Sequence, residues 1–149
     1  MAGLAGLPQQ SRLPVDAVVI GATVSQPFGC TSLELEPFDE ACPTHHFHSG
    51  IDLSAPAGTD VFSATSGTVS AGYDAAAAGN YVEVQFDERT RLLYCHLSSF
   101  RVRPGQHVDP GQLIGTVGST GLATGPHLHF EIDVAGVPVS PSIWLAAGP

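Results

Sequence analysis

The sequence contains no lysine; its five basic residues are all arginine, and with fourteen acidic residues the net charge is −9. A chain so short of positive charge has no face for the phosphates of nucleic acid. It also gains no general attraction to an anionic membrane or wall polymer. Charged residues make up 13% of the chain, about half the usual share. No apolar run reaches the ~18 residues of a membrane-spanning helix; the stretch from Val15 to Val24 is short and is broken by Asp16 and Gly21. The amino terminus shows no basic segment followed by an apolar one, so no signal peptide is expected. Export would then use another route, or the chain would be a piece of a longer one. No Cys-x-x-Cys spacing exists, which argues against a zinc site built from cysteines. Absent too is any long stretch with a helical period.

What is present points to strands. The 149 residues suffice for one domain with a sizeable core. Seventeen glycines and twelve prolines favour short strands joined by turns. Residues 1–14 read as an amino-terminal arm and residues 15–149 as the domain. From Val15 to Gly29 the pattern suggests a short apolar strand and a turn, and residues 30–47 an irregular loop. Tyr81 to Phe86 alternates cleanly, with Val82, Val84 and Phe86 inward. Asp87 to Thr90 then reads as a hairpin turn into the strand Arg91 to His96, and Ala135-Gly136 as a last hairpin. Trp144 in the tail is expected to pack on the edge of the sheet. These features predict an all-β domain.

Three cysteines carry different expectations. Cys30 and Cys42 bracket one acidic loop, and a bridge there would add about 3 kcal/mol by the chain-entropy model. Strict alternation puts Cys95 with Leu93 and Leu97 on the apolar face, as a buried thiol, and puts Tyr94 and His96 on the other face.

Two distant segments hold the candidate chemistry. In Gly125-Pro126-His127-Leu128-His129-Phe130-Glu131, alternate residues share a face. His127, His129 and Glu131 would then line a groove, while Leu128, Phe130, Ile132 and Val134 enter the core. In His48-Ser49-Gly50-Ile51-Asp52, a straight strand would hold the two end residues about 13 Å apart. Ligands of one zinc sit only about 2 Å from it, so the chain must bend, and Gly50 permits a bend. His48, Asp52 and one histidine of the His127/His129 pair make three N/O ligands with an open position, the pattern of a catalytic zinc. The strand pattern alone does not choose between His127 and His129.

With these segments in view, the sequence closely resembles the lysostaphin-type (LytM-like) zinc endopeptidases of peptidoglycan. The resemblance runs from about Val19 to Trp144. It is carried by Ser25 to Gly29, His48 to Leu53, Ala55 to Thr59, Ala64 to Val69, Gly79 to Val82, Tyr94 to Leu97, Val102 to Gly105, Gly111 to Gly115 and Gly121 to Glu131. It implies an antiparallel sheet or barrel-sandwich of the duplicated-hybrid-motif kind, with a zinc-bearing groove. It implies Zn2+ held by His48, Asp52 and His129, with His96 and His127 as a catalytic pair. It implies hydrolysis of peptide bonds in the stem peptide or cross-bridge of bacterial cell walls. The His-Glu-x-x-His helix of other zinc peptidases is absent, as expected where histidines handle the protons. The cysteine loop and the His45-His46 pair are not demanded by the motifs. His46 would share a face with His48 in extended chain, but reads as a solvent-facing loop residue. His107 reads as a surface residue in a turn.

Other classes fit less well. A non-catalytic binding or activator module of a wall-remodelling or phage assembly would typically lose ligands, and here all five positions match. The segment Gly105 to Gly115 is similar to biotinyl and lipoyl carriers, but those need a lysine. A phosphocarrier with paired histidines would not account for Asp52 beside His127-Leu128-His129. The expected partner is a peptidoglycan peptide, with no nucleic acid and no membrane. The expected location is extracellular, at the cell wall, or on a phage particle or other secreted assembly that supplies targeting.

Overall fold

The computed structural model describes residues 11–148. Most of the arm, residues 1–10, lies outside them. Residues 11–14 dock on the domain: the Leu13 amide donates to the Ala64 carbonyl, and the Arg12 guanidinium lies 3.6 Å from the centre of the Trp144 ring.

A 3-10 turn, Val15–Ala17, leads into twelve strands and one helix. The strands are β1 (Thr23–Gln26), β2 (Gly29–Thr31), β3 (His46–His48), β4 (Ile51–Ser54), β5 (Asp60–Phe62), β6 (Gly67–Asp74), β7 (Gly79–Gln85), β8 (Thr90–Phe100), β9 (His107–Val108), β10 (Leu113–Val117), β11 (His127–Val134) and β12 (Val137–Val139). The helix, α1, is Pro141–Ala147. The main sheet is antiparallel in the order β1-β4-β11-β8-β7-β6-β9; β10 bridges β8 to β5, and β12 flanks β11. These pairings leave an open path among the described residues, so the sheet does not close into a barrel.

The core follows from alternation. Val82 and Val84, Leu92 and Tyr94, and Leu128, Phe130 and Ile132 are all fully buried on one face. Tyr94 opposes Phe130 across β8 and β11, with stacked rings 5.0 Å apart. Each such side chain contributes about 1.5–3 kcal/mol by leaving water. The Tyr94 hydroxyl accepts from the Ala64 amide at 2.9 Å, and burial raises its pKa to about 12.

Several local expectations differ from the structure. Val15–Ala17 is a 3-10 turn, and the strand before Gly29 is only Thr23–Gln26. Both ends of the expected loop 30–47 are strand: β2 and β3 pair with each other, and the Cys30–Cys42 disulfide closes the loop between them. Trp144 lies on a short helix. Ser140 caps it by accepting from the Ile143 amide, Pro141 opens it, and Gly148 ends it at φ 58°. Seven residues are too few for a helical period to stand out. Trp144 meets Phe86 edge to face at 5.3 Å.

The largest departure is in β8. Tyr94 enters the core; Cys95 is a buried free thiol, as expected, but lies with Leu93 along the groove. Along β7 and β8, Asn80 opposes Leu97 and Val82 opposes Tyr94. Two steps on β7 therefore match three on β8, which is a β-bulge. His96 sits in the bulge at φ 67°, a left-handed conformation uncommon for a side-chain-bearing residue. The extra residue lets Cys95 and His96 both face the groove.

Candidate metal centre

The sheet register brings the candidate residues abreast. Gln26 opposes Asp52, Asp52 opposes His129, and His129 opposes Cys95 across four neighbouring strands. His48 reaches the same row from the end of β3, after which Ser49 and Gly50 turn the chain into β4. A Cβ on Gly50 would lie 2.5 Å from the Phe130 carbonyl oxygen and 2.9 Å from the His129 ring. Glycine is required here by close approach, since the bend passes against His129.

Three atoms that could hold a metal ion meet. His48 Nε2 lies 3.1 Å from Asp52 Oδ1 and 3.2 Å from His129 Nδ1, and His129 Nδ1 lies 3.1 Å from Asp52 Oδ1. Hydrogen bonds cannot satisfy all three edges at once. If both rings donate to Asp52, two N–H groups face each other; if one ring donates to the other, one contact to Asp52 lacks a proton. A central cation relieves the conflict. Donors about 2.0–2.1 Å from a tetrahedral zinc lie about 3.3 Å apart, close to the observed edges. The donor set, two imidazoles and a carboxylate, suits zinc.

The far side of each ring sets which nitrogen faces inward. His48 Nδ1 donates to the Pro27 carbonyl at 3.0 Å, leaving Nε2 for the triangle. His129 Nε2 donates to Glu131 Oε1 at 3.0 Å, and the Ser49 hydroxyl donates to the same oxygen at 2.7 Å. That leaves Nδ1 of His129 inward. Ligand histidines are typically oriented by such outer carboxylates and carbonyls.

The electrostatics match a site built for positive charge. Burial pulls His129 down, but hydrogen bonds to Asp52 and Glu131 outweigh it and raise the ring to about 9. Burial likewise pulls His48 down, and Asp52 more than reverses it, so the net shift is upward. Burial pushes Asp52 up, yet hydrogen bonds from His129 and His48 hold its carboxyl well below the usual range. Both upward shifts favour positive charge at the triangle.

His96 and His127 lie beside the triangle, with ring centres 4.8 Å apart. His96 Nδ1 donates to the Thr120 carbonyl at 2.7 Å, and His127 Nδ1 to the Gly125 carbonyl at 2.9 Å. Among the described residues Nε2 of neither ring makes a hydrogen bond; His127 Nε2 lies 3.8 Å from Asp52 Oδ2. Burial, reinforced by His127 and His129, lowers His96 to about 4. The neutral ring is therefore the form favoured at pH 7.

All five residues line one groove of about 700 Å³. Its floor is the sheet. One wall is the disulfide-closed loop, through Leu33, Leu35 and Glu36; the other carries Asp74, Leu122 and Thr124. His46 stays outside the groove: its Nδ1 donates to the Glu36 carbonyl at 2.8 Å and braces the loop. His107 is exposed beside Asp109. Ser49, Thr120 and Glu36 were not singled out by sequence reasoning. Glu131 was placed on the groove face, without its contact to His129. Its spacing of two from His129 is a legible signal; the Thr120 carbonyl and the reach of Glu36 are set by loops and have none.

Residues 46–141 match the model of peptidase family M23. Among curated relatives, the peptidoglycan DD-endopeptidase ShyA of Vibrio cholerae is 44% identical over 93 residues, covering 62% of this chain and 22% of that protein. The chain thus spans about a fifth of that relative's length. Among solved structures, a zinc-containing peptidase from Vibrio cholerae is similar at TM-score 0.72 and 31% identity, over 90% of this chain and 39% of that one. The catalytic domain of the antimicrobial peptidase lysostaphin from Staphylococcus simulans is similar at TM-score 0.69 and 30% identity, over 84% of this chain and 92% of that one.

Proposed function

We propose, for a chain that belongs to peptidase family M23, that it is a zinc endopeptidase of bacterial peptidoglycan, cutting peptide bonds in the stem peptide or cross-bridge. The observation that carries this reading is the His48–Asp52–His129 triangle at the floor of an open groove, with two further histidines beside it. The names of the similar proteins, a peptidoglycan endopeptidase and a zinc-containing peptidase, support it.

In this reading His48 Nε2, Asp52 Oδ1 and His129 Nδ1 hold the metal. Zinc bound there would polarise a peptide carbonyl and bring the pKa of a bound water to about 7. The Ser49–Glu131 pair keeps the His129 Nδ1 lone pair inward. His96, neutral through burial, has Nε2 free to take a proton from a nucleophilic water. His127 Nε2 faces the same space and can donate to a developing oxyanion or to the leaving amine. The groove floor orients an extended peptide across these groups. Action on the wall places the protein outside the cytoplasm, where a disulfide persists. With net charge −9, targeting falls to specific groove contacts or to an assembly, such as a phage particle, that carries the chain.

The test is elemental analysis together with mass spectrometry of fragments released from purified walls of differing cross-bridge chemistry. One zinc per chain and release of new peptide amino termini are expected. Zinc-loaded protein that opens no peptide bond in any of these walls would sink the reading.

A further inference from the structure

The loop between β2 and β3 lies ahead of the M23 match, which begins at residue 46. It is nonetheless built into the groove. The Cys30–Cys42 disulfide ties its ends. The Glu36 amide donates to the Leu33 carbonyl, its own carbonyl accepts from His46 Nδ1, and the Phe47 amide donates to the Pro37 carbonyl. The main chain at Glu36 is therefore fixed, and its side chain is aimed. Glu36 Oε2 comes to 3.7 Å from His48 Nε2, with the side chain 21% exposed.

Among the described residues that contact is the only side-chain partner of the Glu36 carboxylate, and His48 Nε2 is the atom assigned above to the metal. Among the described residues no arginine competes for it: Arg91, which lines the groove, is held by Glu83 at 3.0 Å and Asp133 at 3.2 Å. The same wall also presents Leu33 and Leu35, about half exposed. A largely buried carboxylate on a wall that also carries two leucines matches a side chain with a hydrocarbon stem and a cationic tip. Such side chains lay the stem along apolar surface and direct the charge to a partner.

We propose that this loop is the specificity element of the groove, and that Glu36 binds the free ammonium of a diamino-acid side chain near the scissile bond, its methylene stem lying on Leu33 and Leu35. The favoured substrates are then wall peptides whose diamino acid keeps its side-chain amine, over peptides in which that amine is acylated. The inference rests on the function proposed above, because it takes the groove to be the substrate site.

The test uses two uncleavable stem-peptide analogues that differ only in whether the diamino-acid amine is free or acetylated. Titration calorimetry measures their binding to the zinc-loaded chain, to Glu36→Gln and to Leu35→Ser. Wild type should bind the free amine about tenfold more tightly, as for a charge-assisted hydrogen bond. Glu36→Gln should bring the two peptides within about twofold of each other. Leu35→Ser should weaken both while keeping the preference. Equal binding of the two peptides by wild type would overturn the proposal. So would an unchanged preference in Glu36→Gln, or loss of zinc from that variant, which would make Glu36 a metal ligand instead. Hydrolysis is measured separately on cleavable versions: a binding preference without hydrolysis would defeat the peptidase reading and leave this one standing.

Discussion

At the scale of single residues, the site depends on which atom of each histidine faces inward. Asp52 Oδ1 touches the rings of both His48 and His129, so in the proposed site Asp52→Ala should leave two ligands where a stable site needs at least three. Zinc per chain after dialysis should fall from near one to near zero; full occupancy would refute the assignment. Glu131 acts one step further out. Glu131→Ala frees His129 Nε2 and should weaken metal binding about 10–100-fold, the usual cost of a lost outer partner. Glu131→Gln keeps an acceptor oxygen and should recover most of that affinity, and Ser49→Ala should lose less than Glu131→Ala. Competition with a chelating dye measures all three. Equal affinities in wild type and Glu131→Ala would remove Glu131 from the design. His96 and His127 predict the converse pattern: alanine at either should cut turnover about 100-fold or more with zinc retained. Zinc lost from His127→Ala but kept in His129→Ala would show ligand and catalyst reversed.

At the scale of elements, alternation made most of β11 and β7 legible. Leu128, Phe130 and Ile132 enter the core, as their period of two demands, and so do Val82 and Val84. His127 and His129 therefore share the groove face, and the need for a bend between His48 and Asp52 was visible from reach alone. The choice of His129 over His127 came from resemblance, since the register of β11 against β4 is a tertiary fact. On β8 the period misled. His96 was expected in the groove because it shares a face with Tyr94, yet Tyr94 is in the core and His96 reaches the groove only through the bulge. A bulge adds one residue to one strand and leaves no mark in composition. The conformation at φ 67° is fixed by the amide and ring of His96, which donate to the Ala78 and Thr120 carbonyls at 2.7 Å each. The disulfide was expected from two cysteines bracketing one loop; that β2 and β3 frame it required pairing partners no local pattern names. Cys30→Ser with Cys42→Ser should lower stability by about 3 kcal/mol in the chain-entropy estimate, read from denaturant midpoints with the slope held common. A loss below about 0.5 kcal/mol would mean that the loop ends stay joined through β2–β3 pairing alone.

At the scale of the whole molecule, the buried histidines make stability depend on pH in two opposing ways. An unfolded histidine titrates near 6.5. In the folded, metal-free chain His96 is depressed to about 4. Between about 4 and 6.5 the unfolded chain binds more protons at this residue, so stability rises with pH. The contribution is complete above 6.5 and is lost as pH falls toward 4. Asp52 and Glu131, both held below their ordinary values by hydrogen bonds that outweigh burial, add further loss below about pH 4. Asp133, raised to about 6 by burial and by Glu131, opposes the His96 rise between about pH 4 and 6. His129 runs the other way. Its folded value of about 9 gives a contribution that is complete below 6.5 and is lost as pH rises through 9. The rise from 6.5 to about 9 is worth at most on the order of 3 kcal/mol. His48, also raised, adds to the same alkaline loss. Chelator-treated protein should therefore be most stable near pH 6–7, with its denaturation midpoint falling on both sides. Zinc competes with the proton on His129, so loading should release protons and remove the alkaline limb. The gap between the loaded and metal-free midpoints should widen steadily from pH 6 to pH 9. Denaturant titrations of both forms at half-unit pH steps measure it. A gap that is constant across that range would show that no proton leaves His48 or His129 on loading, and that the metal binds elsewhere.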